Sequence, residues 1–265
     1  MKGCPIWGNP FFYLGISIKQ SSGRCVKIES ISIMTKTFGE KVIEFNRNLQ
    51  YNGELPEGFR VMNPFLDNPE TMEVMAQFYN KYYGDNKQRR FIVGINPGRH
   101  GAGTTGVPFT DTKRLSSVCG IEMQSAHTHE VSSVFVYDLI EQYGGAEAFY
   151  SDFYINSPFP LAITRKQKNG NWNNANYYDD RTLYEMVEDY MIESMHQHID
   201  LGLACDEVFV MGKKNSDYIK RLNKKAQLFD KITVLEHPRY VQQYKSKEKQ
   251  FYIDKYLAAF AGEEI

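Results

Sequence analysis

Three short apolar runs in this chain each end in a polar side chain that could recognise a small planar ligand. Phe91, Ile92, Val93 and Ile95 lead into Asn96; Phe153, Tyr154 and Ile155 lead into Asn156; residues 232–235 lead into Glu236, His237 and Pro238. A carboxamide offers a donor and an acceptor side by side, and an imidazole offers one of each when neutral. Any one of these positions is weak evidence, because a strand-terminal Asn often serves a turn and a lone His is more often structural than catalytic. If the runs are parallel strands, however, their ends meet at one sheet edge, where ligands of open α/β proteins bind. Together the three describe a pocket.

The elements that would position them can be read from the pattern. The four runs near residues 91–95, 153–155, 207–211 and 232–235 have the continuous apolar character of strands buried on both faces. Helical spacing separates them: residues 131–143 up to Gly144, residues 183–203, and residues 213–228. Upstream, residues 35–48 carry Phe38, Val42 and Phe45 on one stripe. An irregular stretch at residues 49–67 comes next, and then a helix capped by Asp67 or Asn68 with Pro69 in its first turn. Strands alternating with helices and no tight hairpins imply a parallel sheet covered on both faces, an α/β fold built as a three-layer αβα sandwich around four parallel strands.

The loop behind Asn96, residues 94–111 (GINPGRHGAGTTGVPFTD), is rich in glycine, proline and small polar residues. It is not a dinucleotide fingerprint, since neither Gly94 nor Gly98 starts G-x-G-x-x-G. It is not a phosphate loop either, since Gly103-Thr104-Thr105 lacks the lysine.

Composition sets outer limits. The 265 residues, 42% hydrophobic with formal net charge −1, are enough for one large domain with a substantial core. With so little overall charge, contact with nucleic acid has to come from a local basic surface. Residues 211–250 provide one, with eleven Lys and Arg against four acids, although a solvated helix face often looks the same. The cysteines Cys4, Cys25, Cys119 and Cys205 are scattered without a CxxC pair, so they read as free thiols of a reducing, cytoplasmic compartment. His127 with His129, and His196 with His198, are spaced by two, which on a helix points the second pair apart. No carboxylate or cysteine cluster completes a metal site around either pair. Residues 1–33 look foreign to the rest of the chain and match neither a secretory signal nor a membrane span. The expected organisation is an N-terminal extension over residues 1–33, not native or disordered, then a single domain over 34–265 beginning at Met34.

The segment from Gly94 to Phe109 resembles the first motif of the uracil-DNA glycosylase superfamily, in its single-strand-selective monofunctional branch. That motif reads G-M-N-P-G, a glycine-containing spacer, then T-G-V-P-F. Gly94, Asn96, Pro97, Gly98 and Gly101 match it, as does the run Thr105-Gly106-Val107-Pro108-Phe109. Asn156 with Pro160-Leu161 is similar to the family's Asn-x-x-Pro-Leu stretch, and His237-Pro238 to its second motif. The likeness spans roughly residues 89–244. It departs where H-P-S-P-R would continue, since this chain reads His237-Pro238-Arg239-Tyr240-Val241. One extra residue stands after Asn156, and residues 165–180 have no counterpart. These departures suggest a divergent bacterial-type subgroup.

The resemblance implies a monofunctional DNA glycosylase that flips uracil out of DNA and hydrolyses its N-glycosidic bond, initiating base excision repair. Asn96 and His237 would be catalytic, the first placing water and the second donating to the departing base. Phe109 would stack on uracil and Asn156 would pair with its edge. Gly98 would leave room at C5, where the uracil-only branch carries a tyrosine, so 5-hydroxymethyluracil would also be a substrate. Thr104, Thr105, Lys213 and Lys214 would lie near phosphate, and Arg239 and Tyr240 would fill the gap left by the flipped base. The implied partner is uracil-containing DNA, bound by a monomer with no cofactor, no metal and no membrane. Two other readings remain: a nucleotide or nucleoside hydrolase of the same fold, and a lesion-binding protein without catalysis.

Overall fold

The computed structural model describes residues 35–263. The chain begins with α1 (Phe38–Asn48), capped by Thr37, whose hydroxyl accepts from Glu40 N while the Glu40 carboxylate accepts from Thr37 N. Next come β1 (Phe59–Met62), the short α2 (Pro64–Asp67) and α3 (Pro69–Tyr82), with Asn68 as the N-cap of α3. The first central strand is β2 (Arg89–Val93). Beyond it lie α4 (Ala102–Thr105), α5 (Thr112–Ser117), α6 (Val131–Tyr143) and α7 (Ala146–Asp152), then β3 (Phe153–Asn156). A hairpin of β4 (Ala162–Lys166) and β5 (Trp172–Ala175) precedes the long α8 (Arg181–Asp200). The chain closes with β6 (Leu203–Met211), α9 (Lys213–Ala226), β7 (Lys231–Leu235), α10 (Pro238–Tyr244) and α11 (Lys249–Ala261).

The central sheet has the order β3-β2-β6-β7, all parallel. Its two faces are covered by different helices, because successive strand residues point to opposite sides. Phe91 and Tyr154 face His198 of α8, and Tyr154 also meets Phe38 of α1. On the other side Phe153 and Phe209 meet Phe260 of α11, and Phe153 also meets Tyr143 of α6. The result is the three-layer αβα arrangement around four parallel strands.

A second sheet, β1-β4-β5, is antiparallel throughout. This corrects the expectation of a chain without hairpins, and it resolves residues 165–180, which the sequence left unplaced. The hairpin escaped notice because Trp172–Ala175 (WNNA) is largely polar and exposed, with no alternation to mark it as a strand. The other strand, β1, lay hidden in a stretch that reads as irregular.

Cys119 is a buried free thiol. Cys205 is disulfide-bonded, which corrects the free-thiol expectation at that position. Cys4, Cys25 and the proposed extension over residues 1–33 lie outside the described residues. His196 is exposed while His198 is buried, so the two do point apart. Among the described residues, no group of three or more His, Cys, Asp or Glu could hold a metal ion. No helix among them is long and apolar enough to cross a membrane.

Candidate active site

At the C-terminal ends of β2 and β3 a cavity opens, lined by Gly94, Asn96, Gly98, Phe109, Glu130 and Asn156 among others. Asn96 lies just past the last residues of β2 and is held at both ends of its amide. Nδ2 donates to Ala175 O at 3.1 Å and to Pro97 O at 3.4 Å, while Oδ1 accepts from Tyr177 N at 3.1 Å. A carboxamide has two N–H groups and two oxygen lone pairs, so only one lone pair on Oδ1 stays open. The chain leaving β5 therefore fixes Asn96 as an acceptor. Tyr177 is fixed in turn, its hydroxyl 2.5 Å from Asn215 Oδ1, and Asn215 Nδ2 donates to Gly94 O at 3.0 Å and Met211 O at 3.2 Å. Asn215 thus ties the ends of β2 and β6 together, a role with no signal in the sequence.

Phe109 supplies an aromatic wall. Its φ is 52°, a left-handed backbone conformation that a bulky residue adopts at a cost of roughly 1–3 kcal/mol. The local structure that enforces this conformation is built on Thr105. That hydroxyl is fully buried, lies 2.6 Å from Thr110 O and accepts from Val107 N at 3.2 Å. Thr105 is therefore a brace for the loop carrying Phe109, and its hydroxyl is committed inside the protein. Thr104 is also committed internally, its hydroxyl donating to Arg99 O at 2.6 Å.

Asn156 ends β3 and is buried. Its Nδ2 donates to Tyr154 Oη at 2.7 Å and its Oδ1 accepts from Ser157 N at 2.9 Å. One N–H and one lone pair remain, adjacent on the same planar group.

His237 is the N-cap of α10. Its Nδ1 accepts from Arg239 N at 3.1 Å, which leaves the ring proton on Nε2. Burial, aided by the nearby Arg239 cation, pushes the imidazole down to about 4, so it is neutral at physiological pH. Its ring lies 6.0 Å from that of Phe109, centroid to centroid. A neutral imidazole with its acceptor nitrogen occupied is a donor only.

Glu130 has no signal in the sequence. Standing just before α6, it has the position of an ordinary acidic helix cap, yet its side chain makes no capping bond. The carboxylate turns instead toward the glycines of the first loop, and Oε2 is shut off from solvent without a hydrogen-bond partner. Desolvation, reinforced by the charge of Asp111, pushes its acid up to about 7. A Cβ at Gly101 would fall 2.1 Å from Glu130 Oε2, so any larger residue there would push the carboxylate out of its present place. Gly98 is different. Its φ is not left-handed, and a Cβ would meet only Asn174 Nδ2 at 3.3 Å and Glu130 Oε1 at 3.7 Å. Turn geometry does not demand glycine at 98, and its effect is to widen the cavity.

Comparison with known families matches residues 81–261 to the uracil DNA glycosylase superfamily. The chain belongs to that superfamily. Among solved structures it is similar to SMUG2 of Pedobacter heparinus, with 48% identity and a TM-score of 0.84 over 86% of this chain and 98% of that one. A search of curated proteins matches nothing. Membership brings DNA glycosylase chemistry, a hydrolysis acting on DNA.

Exposed basic side chains stand beside the site. Lys213 and Lys214 are exposed at the start of α9, directly after Gly212, where a Cβ would stand 3.4 Å from His237 Cβ. Lys214 Nζ lies 4.6 Å over the ring of Tyr178. Arg239 and Tyr240 are exposed in the first turn of α10, next to His237.

Proposed function

We propose that this glycosylase excises uracil from DNA by simple hydrolysis and accepts 5-hydroxymethyluracil as a second substrate, initiating base excision repair. The observation that carries the reading is the valence left open on three side chains. Asn96 retains one acceptor, Asn156 one donor beside one acceptor, and His237 one donor. Uracil presents O4 as an acceptor and N3–H as a donor, the complement of Asn156. Cytosine presents the reverse, and a buried mismatched amide costs roughly 1–3 kcal/mol.

Cleavage leaves positive charge on the sugar and negative charge on uracil. A donor aimed at O2 therefore stabilises the transition state more than the ground state. Neutral His237 fills that role, and being neutral it need not be stripped of a proton when the anion leaves. Asn96, able only to accept, holds a water by one of its protons and turns an oxygen lone pair toward the anomeric carbon. Phe109 stacks on the extruded base. With no lysine nucleophile in the scheme, the base leaves without strand cutting.

The test is incubation with uracil-containing oligonucleotides and then alkali. Wild type should yield alkali-labile sites, and Asn96→Ala and His237→Ala should lose activity on the order of 100-fold or more. Free deoxyuridine hydrolysed as well as the oligonucleotide would favour a nucleoside hydrolase instead, and binding without base release would favour a lesion-binding protein.

A further inference from the structure

Behind Asn156 lies a closed circuit of hydrogen bonds in the core. Asn156 Nδ2 is 2.7 Å from Tyr154 Oη, Tyr154 Oη is 3.4 Å from His198 Nδ1, and His198 Nε2 is 3.3 Å from Ser157 O. Ser157 N then returns to Asn156 Oδ1 at 2.9 Å. Four residues, none more than 6% exposed, close the ring.

The direction of every proton in it can be deduced. A backbone carbonyl only accepts, so His198 must donate from Nε2 to Ser157 O, and its Nδ1 is left as an acceptor while the ring is neutral. Burial keeps it neutral, holding the imidazole down to about 3. Tyr154 must therefore donate to Nδ1, which leaves its oxygen lone pairs facing Asn156. Only the NH2 end of Asn156 can answer. A backbone N–H only donates, so Ser157 fixes the oxygen end. Each group donates once and accepts once, all in the same sense.

A flipped Asn156 would break the circuit twice, setting its NH2 against Ser157 N–H and its oxygen against a hydroxyl already committed to His198. The rings have no room to swing away. His198 is enclosed by Phe45 at 4.7 Å and Phe91 at 5.4 Å between ring centroids, and Tyr154 packs against Phe38 at 5.4 Å. The geometry points to Tyr154 and His198 as positioning residues that lock the orientation of the Asn156 amide and thereby set which pyrimidine edge the site accepts. The inference rests on the proposed reading that Asn156 pairs with uracil. An unlocked amide could turn its oxygen toward the cytosine 4-amino group and its NH2 toward N3, so loosening the circuit should cost selectivity as well as rate.

The test uses Tyr154→Phe, which removes only the hydroxyl, beside His198→Asn, which offers an amide oxygen near the position of Nδ1, and His198→Leu, which offers nothing. Uracil excision and inhibition by free uracil and free cytosine are measured for each. Tyr154→Phe and His198→Leu should reduce the ratio of the cytosine to uracil inhibition constants at least tenfold and raise KM more than they lower kcat, while His198→Asn should recover part of the ratio. A Tyr154→Phe protein that melts as a folded domain with the wild-type ratio would overturn the inference. Should that variant not fold, the wild-type protein decides through its Asn156 side-chain amide resonances: slow exchange of the proton facing Tyr154 supports the lock, and free exchange of both overturns it. Failure of wild type to excise uracil would remove the underlying reading too, whereas excision with an unchanged ratio would remove only this step.

Discussion

Asn96 and Tyr177 are 81 residues apart, yet Tyr177 N lies 3.1 Å from Asn96 Oδ1 and makes the catalytic candidate an acceptor with a single free lone pair. The hairpin strand β5 supplies the other grip through Ala175 O. Asn96→Ala should therefore lower kcat on uracil-containing DNA on the order of 100-fold with little change in KM, because the lost group positions water and not the base. Single-turnover kinetics on a uracil oligonucleotide measure this. A rise in KM with unchanged kcat would count against the assignment.

For His237 the informative substitution is Asn. Its short amide can still accept from Arg239 N and cap α10, but cannot reproduce the Nε2–H donor. His237→Asn should fold with near wild-type stability and lose about 100-fold in kcat. The pH profile checks the neutral state. With the folded value at about 4, below the usual His value near 6.5, the imidazole contributes stability that is present above pH 6.5 and lost as pH falls through 4. Activity limited by protonation of His237 should thus hold from pH 8 to about pH 5, and an acid limb centred near 6.5 would contradict the environment described.

The sheet and the three strand-terminal side chains were legible because buried parallel strands are continuous apolar runs that stop abruptly at polar residues. What holds those side chains was not legible. Ala175 reaches Asn96 from the end of a hairpin without apolar alternation and Tyr177 from the turn just after it, and the relevant contacts are backbone groups that carry no residue signature. The bracing bond of Thr105 was hidden for a related reason, since a threonine in a glycine-rich loop has the same letter whether its hydroxyl faces solvent or, as here, Thr110 O. Glu130 carried no signal: its carboxylate turns toward Gly98 and Gly101, with Oε2 shut off from solvent, through a tertiary contact that the local sequence does not encode.

Glu130 gives a prediction about stability. Its carboxyl is raised from the usual value of 4.5 to about 7 in the folded chain, so the folded state prefers it protonated. Stability from this group is complete below pH 4.5 and is lost as pH rises through 7, by up to about 3 kcal/mol on linkage grounds. Glu130→Gln, neutral at every pH, should raise the melting temperature relative to wild type at pH 8 and leave it nearly equal at pH 4.5. Thermal melts at the two values test it, and equal shifts at both would show that the carboxylate is not destabilised.

Gly98 tests substrate breadth. Its φ lies outside the left-handed region, so Gly98→Ala should fold, with Asn174 Nδ2 giving way by a few tenths of an ångström to a methyl that also faces Glu130 Oε1. Excision of 5-hydroxymethyluracil should drop at least tenfold while excision of uracil changes by less than about threefold, a difference within the range that one methyl group contributes in a snug pocket. Paired kcat/KM values on the two oligonucleotides are the measurement, and a parallel loss on both would mean that the cavity at Gly98 does not face C5.

The lysines at the start of α9 should act through phosphate alone. Lys213 and Lys214 are exposed beside the His237 end of the site, and neither lines the cavity. Replacing both with Ala should weaken binding uniformly across sequences and reduce the slope of log affinity against log salt by about 1 to 2, one phosphate contact per lysine. Because Lys214 also lies over the ring of Tyr178, the single variants separate the charge effect from lost packing. Lys213→Ala should weaken binding and lower the salt slope without changing stability, and Lys214→Ala should add a small loss of stability. Inhibition by free uracil should be unchanged in both, since that ligand carries no phosphate. Titration of a fluorescent uracil-containing oligonucleotide at several salt concentrations reads the slope directly, and a double variant with the wild-type slope would place the DNA path elsewhere on the molecule.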